Sequence, residues 1–82
     1  MENNESIIEA RARVIQSLTE RFAQEPEFLT VERAAGLLSI SPRTMYRLKN
    51  TGQIPSVRLS VNCVRICKFE LINYAAQRMS EV

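Results

Sequence analysis

Apolar positions along the chain fall into four stretches with helical spacing and one that alternates. Ile7, Ile8, Val14, Ile15, Leu18 and Phe22 lie within an arc of about 120° when wound at about 100° per residue, the width of a helix that buries one side. Ser6-Ile7-Ile8-Glu9 supplies a capping box at its start, and Pro26 predicts an end near Glu25. Arg11 projects into the apolar arc, with a stem suited to lie along methyl groups while its head reaches water or meets a carboxylate. After Glu25-Pro26-Glu27, Phe28-Leu29 leads into a second helix, N-capped by Thr30, with Val31, Ala34, Ala35 and Leu38 at i, i+3, i+4, i+7. The connection Ser39-Ile40-Ser41 opens a third helix at Pro42: the Ser hydroxyl accepts from an early N–H, and Pro fixes φ where no N–H partner is needed. Gly52 stops it. Two helices joined so tightly have the spacing of a helix-turn-helix.

Downstream, Val57, Leu59 and Val61 alternate with Arg58 and Ser60, and Val64 and Ile66 with Arg65 and Cys67. The alternation predicts a hairpin turning near Asn62-Cys63, with Leu59 opposite Ile66 and with Arg58 and Arg65 together on its outward face. A last helix is expected from about Lys68, with Glu70 in its first turn and some of Leu71, Ile72, Tyr74, Ala75 and Met79 buried. Residues 1–5 and the tail after Arg78 are expected to be loose. The fold class is therefore mainly α: a helix-turn-helix with a two-stranded β-hairpin at 57–67, together spanning 28–79, preceded by an N-terminal amphipathic helix within 1–27. The apolar stripe of that first helix is too short and irregular for a coiled coil. Ile7, Ile8, Val14, Ile15, Leu18 and Phe22 serve either the core of their own domain or a second copy or other partner.

Charge separates the two parts. Residues 1–27 carry three basic against six acidic residues, net −3, and residues 28–82 carry eight against three, net +5. Between Glu32 and Glu70 there is no acidic residue, whereas Arg33, Arg43, Arg47, Lys49, Arg58, Arg65 and Lys68 all fall in or next to that block. Solvated surfaces usually mix their signs, so a one-signed block of this length is the footprint of a polyanion.

The third helix gives that charge a geometry. Arg43, Tyr46, Arg47 and Asn50 lie on one side, opposite Met45 and Leu48. Arg pairs with guanine and Asn with adenine through two hydrogen bonds, and all four side chains can reach phosphate. Ser41 and Thr44 stand near the helix start, where N–H groups and the dipole favour an anion, and Lys49 lies near its end. The DNA-binding set expected is Ser41, Arg43, Thr44, Tyr46, Arg47, Lys49 and Asn50, joined by Arg58, Asn62 and Arg65 of the hairpin. Ser41 and Thr44 also suit helix capping, and Asn50 a helix end.

Other classes fare poorly. With 82 residues, 45% of them hydrophobic, the chain suits one small domain. It has no His and no Asp, no Gly-rich phosphate loop and no pair of Glu placed for acid–base work, so no enzyme, metal, cofactor or small-molecule ligand is expected. No apolar run suits a bilayer, and Glu2-Asn3-Asn4-Glu5 is unlike a signal sequence, so no membrane partner is expected. A cytoplasmic, nucleoid-associated protein with reduced Cys63 and Cys67 follows.

The concatenation Leu29-Thr30-Val31-Glu32-Arg33-Ala34-Ala35, Leu38-Ser39-Ile40-Ser41-Pro42-Arg43-Thr44-Met45-Tyr46-Arg47, Gly52-Gln53-Ile54-Pro55, Val57-Arg58, Val64-Arg65-Ile66 and Glu70-Leu71 resembles the MerR-like winged helix-turn-helix of the excisionase family. The likeness covers about residues 28–76. It implies that helix 42–51 enters the major groove, that the hairpin around Asn62 is the wing, and that the partner is double-stranded DNA. It also implies an excisionase or recombination-directionality factor of a mobile element, or else a small transcriptional regulator. A protein-interaction module that recruits a partner through the first helix, whether a recombinase, a polymerase or a second copy, is the reading from a different class. Three positions depart from the pattern: Ser39 stands where Gly is usual, the wing tip Ser60-Val61-Asn62-Cys63 has no Gly, and Cys67 replaces a Ser-like cap.

Overall fold

The computed structural model describes residues 6–78. The expectations for residues 1–5, Met79 and the tail lie outside that range. The elements are α1 (Ile7–Arg21), β1 (Phe28–Leu29), α2 (Val31–Leu37), α3 (Pro42–Asn50), β2 (Val57–Ser60), β3 (Cys63–Cys67) and α4 (Lys68–Gln77). No helix among the described residues is long and apolar enough to cross a membrane.

Local chemistry sets most helix starts. Ser6 caps α1 through the full box: its hydroxyl accepts from the Glu9 N–H at 3.1 Å while the Ser6 N–H donates to the Glu9 carboxylate at 2.8 Å. Thr30 accepts from the Arg33 N–H at 3.0 Å and Ser41 from the Thr44 N–H at 3.1 Å. Cys67 occupies the cap of α4 without a side-chain hydrogen bond.

The ends of α2 and α3 repeat one device. Past the cap Leu38, the Ile40 N–H reaches back to the Ala35 carbonyl and the Ser39 N–H to that of Gly36, the paired bonds of a Schellman motif. Past the cap Thr51, the Gln53 N–H reaches Leu48 and the Gly52 N–H reaches Lys49 in the same way. Each motif needs one left-handed residue: Gly52 at φ 78° in the second, and Ser39 at φ 59° in the first.

The expected end of α1 near Glu25 is corrected to Arg21, with Phe22 as cap. Phe22 is fully buried, and the Lys68 ammonium donates to the carbonyls of Phe22 (3.1 Å) and Glu25 (2.8 Å), so the chain after Arg21 is held as a turn by α4. The apolar stripe of α1 divides. Ile7, Val14 and Leu18 are half-buried and α1 packs against α4, whereas Ile8 is 73% and Ile15 39% exposed. Arg11, inside the packed arc, is half-buried.

The sheet has three strands in the order β1-β3-β2, where the alternation alone gave two. β1 pairs with β3 through Phe28↔Cys67 and Leu29↔Ile66, so the wing is anchored to the segment that enters α2. The hairpin is also corrected. It turns at Val61-Asn62, between the paired Ser60 and Cys63, and Leu59 is the extra residue of a bulge. Neither turn residue has positive φ, which rules out the primed turns, and the bulge supplies the twist that such turns would have provided. The core lies between α2, α3, β3 and α4, and comprises Phe22, Leu29, Val31, Ala34, Ala35, Met45, Ile54, Ile66, Leu71 and Ile72. Small Ala34 and Ala35, both fully buried, let α3 come close to α2.

Candidate nucleic-acid interface

Packing on one side of α3 exposes the other. Met45 is fully buried and Leu48 packs against the core, which leaves Arg43, Tyr46, Arg47 and Asn50 exposed on a single side. Arg43, Arg47, Lys49 and Arg58 make no ion pair among the described residues. Ser41 and Thr44 are tied to each other at the helix start: Ser41 Oγ accepts from the Thr44 N–H and donates to Thr44 Oγ1 at 3.0 Å. Capping is thus their observed work. The Thr44 hydroxyl keeps its own hydrogen for another acceptor.

Tyr46 carries a partner that sequence spacing did not reveal. Its hydroxyl donates to Glu32 Oε2 at 2.9 Å, from α3 to the first turn of α2. Donation to a carboxylate holds the Tyr46 phenol above its usual ionisation range, aided by partial dehydration and the negative charge. Tyr46, Glu32, Lys49, Asn62, Val61 and Arg65 line a cleft of about 340 Å³ where the start of α2, the side of α3 and the wing tip meet.

The cationic block is smaller than its sequence suggests. Arg33 is engaged by Glu25 through a two-point pair, Nε to Oε1 at 3.0 Å and Nη2 to Oε2, and the Lys68 ammonium is held by two carbonyls. Both latch the turn after α1. The Arg33 bond keeps the Glu25 carboxyl below the ordinary carboxylate range.

Arg58 and Arg65 do not share a face. The register pairs Arg58 with Val64 and Val57 with Arg65, and directly paired residues point the same way, so the two guanidiniums leave opposite sides of the hairpin. The bulge at Leu59 is the cause: a regular ladder from Ser60↔Cys63 would set Arg58 directly opposite Arg65, and the one-residue shift moves Arg58 to the other face. Arg58 is exposed, whereas Arg65 is half-buried and donates to the Val64 carbonyl at 2.9 Å. Asn62 is exposed at the tip beside Val61, itself 79% exposed.

A helix-turn-helix domain family matches residues 28–79, more than half of the chain. The chain belongs to that helix-turn-helix domain family. No curated protein and no solved structure matches it. In the DNA-binding form of this motif the second helix of the pair is the one that enters the major groove, and α3 holds that place in the element order.

Proposed function

We propose that this chain is a sequence-specific double-stranded DNA-binding protein whose α3 reads the major groove and whose β2–β3 hairpin acts as the wing. The observation that carries the reading is the two-sidedness of α3: Met45 is sealed into the core while Arg43, Arg47 and Asn50 stand open and without anionic partners among the described residues. Arg43 and Arg47, one turn apart, can reach one groove together. Ser41, Thr44 and Lys49 lie where phosphates flank that groove, Tyr46 offers its ring to a thymine methyl, and Arg58, Asn62 and Arg65 give the wing its backbone contacts.

Within that class we favour an excisionase or recombination-directionality factor of a mobile element, supported by the string of short motifs from Leu29 to Leu71. A small transcriptional regulator is the alternative. A reader of this size covers few base pairs, so useful specificity calls for copies on adjacent half-sites or a recombinase beside it. Ile8 and Ile15, the part of the α1 stripe left exposed, suit such a contact, and a cytoplasmic, nucleoid-associated protein is the setting.

Selection of preferred duplexes from a random pool tests the reading. Arg43→Ala or Arg47→Ala should cost about 1–3 kcal/mol on the selected site if it reads a base, whereas Arg58→Ala and Arg65→Ala should weaken all duplexes alike. Equal loss on selected and random duplex for all four would contradict the groove assignment. The location of the selected site, beside a recombination site or a promoter, separates the two roles.

A further inference from the structure

We propose that Glu32, held by Tyr46, is a specificity-determining residue that works by repulsion: a tethered carboxylate in the binding cleft that penalises a phosphate and tolerates a base amino group. The inference rests on the DNA-binding reading above. Among the described residues Glu32 is the one acidic side chain lining a cleft that also presents Lys49 and Arg65, and its Oε2 accepts from Tyr46 Oη at 2.9 Å. Both side chains are exposed, so the pair is presented to a ligand and not sealed in the core.

The hydrogen bond decides what this corner can recognise. With its proton given to Glu32, the Tyr46 oxygen offers only lone pairs, and the carboxylate is acceptor-only. A phosphate, itself an acceptor with a negative charge, finds no donor on either of these two groups. For Tyr46 to donate to a phosphate it must release Glu32, which leaves two anions side by side. The exocyclic amino groups of cytosine and adenine in the major groove are donors and suit both oxygens. A duplex bound in a register that brings phosphate here is therefore disfavoured, and one that brings such an amino group is not. Discrimination of this kind comes from the rejected partner. A first-turn carboxylate also steadies the start of α2, but that effect changes stability and not the choice between duplexes.

Glu32→Gln keeps an oxygen for the Tyr46 hydroxyl and removes the charge. Affinities are measured for the full chain on a duplex selected by the wild-type protein and on a random duplex of equal length. Glu20→Gln, on an exposed site of α1 outside the cleft, serves as the charge-matched control. The expected result is a gain of roughly three- to tenfold on random duplex for Glu32→Gln with a smaller gain on the selected one, so that their ratio falls; Glu20→Gln leaves the ratio unchanged. A ratio unchanged in Glu32→Gln, or lowered equally by Glu20→Gln, overturns the inference while leaving DNA binding intact. Failure of the wild-type chain to bind either duplex at low salt removes the underlying reading, and this inference with it.

Discussion

Ser39 and Gly52 hold the same place in two successive helix ends, one residue past the caps of α2 and α3, with φ 59° and 78°. Only one of them is a glycine. A side chain in the left-handed region costs roughly 1–2 kcal/mol, and the greater freedom of Gly in the unfolded chain returns about 0.4–1 of that. Ser39→Gly should therefore raise stability by about 0.5–1 kcal/mol. No heavy atom lies within 4 Å of a Cβ built on Gly52, so Gly52→Ala is destabilising through φ alone, by about 1 kcal/mol. Urea melts of the two variants check both signs. Loss of stability in Ser39→Gly would count against the turn geometry.

The Glu25–Arg33 pair makes stability fall on the acid side. Its hydrogen bond holds the folded-state carboxyl below its unfolded value, so the contribution is fully present above the unfolded pKa, about 4.3, and is lost as pH falls through the folded one. Melting temperature against pH should show wild type above Glu25→Gln near neutrality and the two curves converging in acid. Parallel curves would mean that the pair contributes nothing.

Tyr46 should titrate late. The chain has two tyrosines, so phenolate absorbance compared between wild type and Tyr46→Phe isolates its transition. Donation to Glu32 pushes it above the ordinary value near 10, and Glu32→Ala should bring it back down. The sign for stability is opposite to that of Glu25: the contribution is present below the unfolded phenol pKa and lost as pH rises through the folded one. A Tyr46 transition unmoved by Glu32→Ala would show that the two side chains do not meet in solution.

What the chain spelled out was what neighbours in sequence decide. The box at Ser6, the caps at Thr30 and Ser41, Pro42 at the start of α3 and Gly52 after it are contests between adjacent residues, and all appear where their chemistry puts them. The open side of α3 was equally plain, because a nine-residue helix with Met45 and Leu48 inward leaves one arrangement for Arg43, Tyr46, Arg47 and Asn50. The features that escaped depend on residues far apart. α1 stops early because Lys68 takes carbonyls 43 and 46 residues back, and β1 is a strand only through Ile66 and Cys67. Arg33 and Tyr46 looked free because their carboxylates sit eight and fourteen residues upstream, at no helical spacing. The opposed faces of Arg58 and Arg65 follow from the bulge at Leu59, a one-residue slip between paired strands that regular alternation along the chain does not announce.

Affinity for duplex DNA across a salt series, for wild type and for the Arg43→Ala/Arg47→Ala pair, bears most directly on the role given to α3. Wild type should bind at low salt, with log K falling linearly against log salt by about 0.9 per neutralised phosphate, and the double variant should bind more weakly with a shallower slope. A wild-type chain indifferent to duplex in dilute buffer, or a double variant with unchanged affinity and slope, would contradict it.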